Sequence, residues 1–91
     1  MVVHCKRDEY DVYIGRPSEW GNPFRIGVDG NRDEVIQKFR DYFNSWSEEK
    51  KSQMVRELRG KRLGCWCSPA PCHGDILVEY IASTAGLVAV L

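Results

Sequence analysis

The sequence has no excess of charge of either sign, because its 13 lysines and arginines equal its 13 aspartates and glutamates. A protein that holds long nucleic acids by charge needs a basic surplus, so a long nucleic acid is not an expected partner. The sequence also has no apolar run near the ~20 residues that span a bilayer. No signal peptide is recognisable, since His4 and Lys6 follow the start at once. We therefore expect a cytoplasmic protein without a membrane partner.

The length leaves no room for a second hydrophobic core, so the 91 residues are expected to form a single domain over 1–91. Apolar residues make up 43% and charged residues 29%, which is typical of a globular protein. The chain has four cysteines. In a reducing compartment, cysteines favour metal binding or catalysis over disulfide bonds.

Short strands are indicated by β-branched, aromatic and apolar composition. The segments with this composition are 2–5, 11–15, 24–26 and 62–67. Pro69 and Pro71 prevent the last segment from continuing, and we expect it to form the central strand. The segment 24–26 lies inside a loop over 16–31, where prolines and glycines allow only brief regular structure.

Helices are indicated by apolar residues at helical spacing. A capping-box pattern at Asn31 precedes a predicted helix over 32–46. Ser47 caps a second helix that ends at Gly60. A last helix is predicted over 74–82, apolar on most sides. The predicted fold class is therefore α/β: a small single domain with a short central sheet of three to four strands and about three helices.

Three cysteines and one histidine fall within nine residues: Cys65, Cys67, Cys72 and His73. On one strand Cys65 and Cys67 would point the same way, with Cα atoms ~6.6 Å apart, so a disulfide between them is strained. Thiolate and imidazole are preferred ligands of zinc. We therefore predict one zinc held by at least three of these four residues, with Cys5 or His4 as a replacement for one of them.

A catalytic interpretation of the same residues stays open. Cys72 begins the last helix, where free amides and the helix dipole lower the pKa of a thiol. With His73 beside it, Cys72 is a candidate nucleophile, and Asp75 is a candidate to orient a histidine. The same helix start offers N–H groups to a phosphate. A third interpretation treats the cysteines as small buried apolar residues.

The loop before the first predicted helix contains residues that bind flat or anionic ligands: Arg16, Ser18, Trp20 and Asn22. Arg16 suits a phosphate, Trp20 suits stacking on a base, and Ser18 and Asn22 suit polar edges. The structural alternative is that Trp20 fills the core, Asn22 caps a turn and Arg16 pairs with an acidic residue of the last helix.

Two blocks of the sequence resemble a known family. The segment Tyr13–Phe24, YIGRPSEWGNPF, resembles the opening block of the small family called domain of unknown function 4326, found in phages, bacteria and archaea. The segment 63–77, with LGCWC and CHGD, resembles its closing block. The resemblance covers about 2–82, leaves the apolar tail 83–91 outside, and implies no reaction. It implies that these residues belong to the family pattern: Arg16, Trp20, Asn22, Cys65, Cys67, Cys72, His73 and Asp75.

The predicted function is a nucleotide-type ligand site where the Arg16–Phe24 loop meets the Cys65–Asp75 strand-turn-helix. In open α/β sheets, ligands lie beyond the carboxyl ends of strands, and both blocks follow strand ends. The expected partner is a small nucleotide-like ligand, and a homo-oligomer is expected if the tail forms an edge strand or a contact between copies. Two alternatives remain: a non-enzymatic zinc-stapled module that binds protein or nucleic acid, and a phage-type inhibitor that sequesters a nucleotide signal.

Overall fold

Three short parallel strands and three helices make up the part of the chain that the structure describes. The structure is a computed structural model in which residues 1–90 are described, with side chains through Thr84. The small α/β domain expected from the sequence is confirmed. The elements in chain order are β1 (Val2–His4), β2 (Val12–Tyr13), α1 (Arg32–Asn44), α2 (Glu48–Leu58), β3 (Leu63–Cys65) and α3 (His73–Val90).

The central strand of the sheet is β3, as its buried, apolar sequence predicts. The strand order is β1-β3-β2, and both pairings are parallel. Leu63 is paired with Val2 on one side and Val12 on the other. All three residues of β3 are buried, whereas β1 and β2 are partly exposed edge strands. Parallel strands place their carboxyl ends at the same edge, which brings the two sequence blocks together.

β3 is shorter than predicted, because its neighbours end first. The last ladder hydrogen bond on one side runs from the Cys5 N–H to the Cys65 carbonyl at 3.1 Å. On the other side the Ile14 N–H donates to the Gly64 carbonyl at 3.0 Å. Residues 66 and 67 therefore lie beyond the strand, where strand alternation no longer determines their direction.

Two other strand predictions are wrong. The segment 24–26 forms no strand, and its only pairing is an isolated bridge between Ile26 and Gly30. The predicted edge strand at the end of the chain is instead helical through Val90. The hydroxyls of Ser83 and Thr84 donate to the carbonyls of Tyr80 and Ile81 one turn earlier, so both find acceptors within the helix. The side chains of the tail lie outside the described residues, and its role as an oligomer contact stays a prediction.

The helices contribute most of an aromatic core. The capping box at Asn31 is present, with the Glu34 N–H donating to its side chain at 2.9 Å. α1 ends two residues before its predicted end, and its buried face packs with Trp46. Phe39 is fully buried, and the centroid of its ring lies 6.2 Å from the centroid of the Trp46 ring. Within residues 1–90, no helix has both the length and the apolar character that crossing a membrane requires.

Candidate functional site: a pocket above a cysteine-histidine cluster

A pocket of about 420 Å³ opens at the carboxyl ends of the strands. This volume lies in the range of ~300–1,000 Å³ that small-molecule sites occupy. Its walls come from the loop between β2 and α1, from Val35 of α1, from the end of β3 with the turn that follows, and from the first residue of α3. Both sequence blocks therefore contribute to one pocket. The lining residues that bear on its chemistry are Arg16, Arg25, Cys65, Trp66, Cys67 and His73.

His73 is the first residue of α3 and has a defined tautomer. Its Nε2 lies 3.0 Å from the main-chain carbonyl oxygens of both Ile14 and Trp20. Carbonyl oxygens only accept hydrogen bonds, so Nε2 carries the proton and Nδ1 of the neutral ring keeps a lone pair. The ring is 6% exposed and packs edge-on against Phe39 at 4.9 Å between centroids. Packing and two hydrogen bonds thus direct the Nδ1 lone pair toward Cys72, whose Sγ lies 3.5 Å away.

Cys65 and Cys72 form a buried pair of thiols. Cys65 ends β3, Cys72 precedes α3, and their Sγ atoms are 2.8 Å apart. The Gly74 N–H donates to Cys72 Sγ at 3.4 Å, so the sulfur occupies the place of a helix-capping acceptor. The turn between the strand and the helix therefore closes on a sulfur-sulfur contact.

The hydrogen bond between the two thiols shifts the pKa of each in opposite directions. The hydrogen bond from Cys72 lowers the pKa of Cys65 to about 4, against burial, which alone would raise it. The same hydrogen bond raises the pKa of Cys72, and burial acts in the same direction. The low pKa that the helix start predicted for Cys72 is therefore not found, because the contact with Cys65 and burial both raise the pKa of Cys72. Two thiols this close titrate as one unit.

Three of the four predicted metal ligands come together. Cys65, Cys72 and His73 are all buried, and their ligand atoms lie within 4.8 Å of one another, close enough to hold one metal ion. Cys67 lies outside this group, although it lines the pocket and is half-buried. The turn that begins after β3 separates Cys67 from Cys65, which spacing along an ideal strand did not predict. Cys5 also lies outside the group.

Asp75 caps the helix and does not orient His73. Its Oδ2 accepts a hydrogen bond from the Cys72 N–H at 3.0 Å, and its side chain is exposed. The orienting role expected of Asp75 is instead filled by the carbonyl oxygens of Ile14 and Trp20. A sequence motif cannot reveal this, because main-chain acceptors leave no trace in residue type.

The loop from Arg16 to Phe24 is held by its own hydrogen bonds. Arg16 Nη1 donates to the Asn22 carbonyl at 3.2 Å and to the Phe24 carbonyl at 3.4 Å. The Asn22 side chain accepts from the Phe24 N–H and donates to the Val35 carbonyl of α1. Arg16 and Asn22 therefore shape the pocket wall that they line. Ser18 does not line the pocket, and its buried hydroxyl has no hydrogen-bond partner within the described residues.

Of the two interpretations of Trp20, the structure supports the one in which its ring fills the core. The Trp20 ring is 3% exposed and packs 5.8 Å from Trp46, so it has no free face for a base. Only its carbonyl reaches the site, through His73. Trp66 is 55% exposed and lines the pocket. Arg25, which also lines the pocket, was missed in the sequence, although it directly follows the loop block.

Comparisons with known proteins identify relatives but no reaction. A 12.4 kDa protein from the nrdA-td intergenic region of Enterobacteria phage T4, described as uncharacterised, is 40% identical over 83 residues, covering 88% of this chain and 75% of the relative. An uncharacterised protein of Acanthamoeba polyphaga mimivirus is 33% identical, covering 87% of this chain and 77% of the relative. No solved structure matches. The family model described as Domain of unknown function (DUF4326) matches residues 3–83, and the chain belongs to this family.

Proposed function

We propose that the pocket binds a small anionic ligand with a planar ring, of the nucleotide class. The observation that carries this proposal is the meeting of Arg16, Arg25 and Trp66 around one pocket of about 420 Å³. Guanidinium groups suit phosphate oxygens, and an exposed indole suits a base. A single small ligand of this class needs no basic surplus in the whole chain, so the balanced net charge is compatible with it.

The anion-binding part of the proposal rests on Arg16 and Arg25. None of the ion pairs among residues 1–84 involves either guanidinium. Arg16 uses Nη1 to hold the loop, and its other nitrogens have no protein acceptor in the described part of the chain. The Arg25 side chain is exposed, and only its main chain is hydrogen-bonded, to Val28 and Asp29. Both groups keep donors for the oxygens of a ligand.

The ring-binding part of the proposal rests on Trp66. Its Nε1 donates to the Tyr13 hydroxyl at 3.0 Å, which holds the indole in one orientation. The ring of His4 meets it edge-on at 6.0 Å, and Lys6 Nζ lies 5.3 Å from its centroid. A pre-oriented aromatic ring loses little freedom when it stacks, and stacking contributes about 1–3 kcal/mol per base.

The test is a comparison of two arginine variants in nucleotide binding. A panel of nucleoside mono-, di- and triphosphates is screened by thermal shift, and hits are measured by calorimetry. Arg25→Gln is expected to weaken binding of the best nucleotide at least tenfold. Arg56→Gln, which makes the same change on the exposed surface of α2, is expected to leave binding unchanged. Absence of binding by any nucleotide, or equal binding by both variants, would refute the proposal.

The same experiment separates an enzyme from a sequestering inhibitor of a nucleotide signal. After incubation, the nucleotide is released by denaturing the protein and analysed by mass. A sequestering protein returns the nucleotide unchanged, at no more than one equivalent bound per chain. An enzyme returns an altered nucleotide in excess over the protein.

A zinc-stapled interaction module is the second candidate function. It is favoured by the cluster of Cys65, Cys72 and His73, which joins the end of β3 to the start of α3. Two thiolates and one imidazole form a ligand set that suits zinc. In this candidate, elemental analysis finds zinc and a chelator lowers the melting temperature sharply, while no nucleotide binds.

A further inference from the structure

We infer that a metal ion held by Cys65, Cys72 and His73 keeps one coordination position open to the pocket, where water or a donor atom of the pocket ligand completes its shell. The inference rests on the metal occupancy proposed above, and it is independent of whether the pocket ligand is a nucleotide. The metal would therefore belong to the ligand-binding pocket, and it would not be a structural ion surrounded by four protein ligands.

The number of ligands is the first argument. The structure brings together three ligand atoms, and zinc in proteins is four-coordinate. Structural zinc sites take all four ligands from the protein, whereas sites with three protein ligands leave the fourth position to water or substrate. Cys67 is the nearest candidate in sequence for a fourth protein ligand, but it lies outside the group.

The geometry of the three ligands is the second argument. Zn–S bonds of about 2.3 Å and Zn–N bonds of about 2.0–2.1 Å place tetrahedral S and N ligands about 3.5 Å apart. Cys72 Sγ and His73 Nδ1 are 3.5 Å apart. The two sulfurs, now 2.8 Å apart, would separate to about 3.8 Å around the ion, a change that side-chain torsions supply.

The second hydrogen bond of His73 is the third argument. A histidine that binds a metal through one ring nitrogen usually donates the other N–H to a carboxylate or a carbonyl. His73 Nε2 donates to the carbonyls of Ile14 and Trp20, which leaves the Nδ1 lone pair on the side of the sulfurs. The ring is therefore already in the tautomer that a metal at Nδ1 needs.

The direction of the open position follows from the pocket. Cys65 and His73 line the pocket, whereas Cys72 is buried behind them and does not. An ion among the three would therefore lie at the pocket floor and face its opening. The chemical class of ligand that fits carries a terminal donor atom, such as a phosphate oxygen or an imidazole nitrogen, on a body small enough for the pocket.

The experiment uses Co²⁺ as a spectroscopic probe in the full chain. Metal-free protein is titrated with Co²⁺ alone, and imidazole is then added as an external ligand. One Co²⁺ per chain, with the intense visible bands of a four-coordinate thiolate site, is expected. Imidazole should then shift these bands in a saturable manner, because it replaces water at the open position. Failure to take up Co²⁺, or bands that imidazole leaves unchanged, would overturn the inference.

Cysteine variants provide the matched controls. Cys65→Ser and Cys72→Ser should each weaken Co²⁺ binding at least a hundredfold. Cys5→Ser, whose thiol lies outside both the pocket and the cluster, should keep both the stoichiometry and the spectrum of the parent, and Cys67→Ser tests whether a fourth thiolate closes the site. If Cys67→Ser loses Co²⁺ as Cys65→Ser does, the site is closed by four protein ligands and the inference is overturned. The imidazole response of the unaltered chain decides the matter even if a buried variant fails to fold.

Failure of this inference is distinguishable from failure of the nucleotide proposal. Nucleotide binding and its dependence on Arg25 are measured on metal-free protein. Arginine-dependent binding without Co²⁺ uptake removes the metal and keeps the nucleotide site. Co²⁺ uptake with an imidazole response, but no nucleotide binding, keeps the open metal site and removes the nucleotide.

Discussion

The polar groups at the two ends of β3 differ in burial: an exposed ion pair lies at the amino end and a buried cluster at the carboxyl end. At the amino end, Asp11 and Arg62 form an exposed pair, in which the Asp11 carboxylate accepts from the Arg62 main-chain N–H at 2.7 Å and from its guanidinium at 3.3 Å. At the carboxyl end, Cys65, Cys72 and His73 are buried beneath a pocket. One strand of three residues therefore separates a surface ion pair from a buried cluster.

The ion pair and the cluster differ in whether the protein already uses the atoms that could bind a ligand. The carboxylate of Asp11 is occupied by Arg62, so this pair joins the amino ends of β2 and β3. His73 uses Nε2 to bond main-chain carbonyls but directs Nδ1 at the Cys72 sulfur, and the sulfurs of Cys65 and Cys72 contact each other. Chemistry is expected where buried groups keep lone pairs that the main chain does not use, and of the two ends of β3 this is the carboxyl end.

The largest expected effect on stability comes from truncating the buried side chain of Trp20. Trp20→Ala should cost about 3–5 kcal/mol of unfolding free energy, because a buried indole is lost from the aromatic core. Trp66→Ala should cost under about 1 kcal/mol, since that ring is mostly exposed. Urea denaturation of both variants measures the difference. Equal losses of unfolding free energy would contradict the assignment of Trp20 to the core and of Trp66 to the surface.

His73→Ala should have the next largest effect, about 2–4 kcal/mol. The change leaves the carbonyls of Ile14 and Trp20 without their donor and opens a cavity beside Phe39. His4→Ala, a change of the same chemistry near the surface, should cost under about 1 kcal/mol. Denaturation in the presence of a chelator keeps any metal contribution out of the comparison. A loss at His73 no larger than at His4 would contradict the proposed hydrogen bonds.

One glycine near each end of β3 is expected to resist replacement by alanine, each for a different physical reason. At the carboxyl end, a Cβ on Gly74 would lie 2.6 Å from Ile14 Cδ1 and 2.9 Å from Val2 Cγ2. Gly74→Ala should therefore cost about 1–3 kcal/mol through overpacking. At the amino end, a Cβ on Gly60 meets nothing within 4 Å, but its φ of +73° is left-handed, so Gly60→Ala should cost about 1 kcal/mol.

A second substitution, made in each of the two glycine variants, separates these two causes. Ile14→Val, which shortens the side chain that Gly74→Ala would strike, should recover part of the stability lost in Gly74→Ala. The same second change should recover nothing in Gly60→Ala. Double-variant denaturation curves test this, and equal recovery in both backgrounds would show that close packing at Gly74 is not the cause.

The smallest expected effect is the pH dependence of the amino end. Hydrogen bonds from Arg62 hold the pKa of Asp11 below its usual value of 3.8. A carboxyl whose folded pKa is depressed stabilises the fold above the unfolded pKa and loses that contribution as pH falls through the folded pKa. Asp11→Asn should thus lower stability slightly at pH 7, and the difference from the parent should begin to shrink below about pH 4 and vanish only once the pH lies below the depressed folded pKa of Asp11. A difference that persists in acid would contradict this account.

Local structure was largely predictable from the sequence. The capping box at Asn31 and the left-handed glycine after α2 are properties of neighbouring residues, and both occur as expected. The central position of the strand around Cys65 followed from its apolar sequence between polar segments. The meeting of the two blocks followed from the rule that parallel strands present their carboxyl ends at one edge.

Only the tertiary structure decided which members of each chemical type enter the site. Trp20 and Trp66 have the same side chain, but packing against Trp46 buries the first and the end of β3 exposes the second. Cys67 was expected beside Cys65, but β3 ends where its neighbours end, and Cys72 takes the place next to it. These outcomes depend on contacts between residues distant in sequence. Composition and spacing along the chain determine local hydrogen bonds, whereas burial and ligand geometry are determined by which distant segments share the same space.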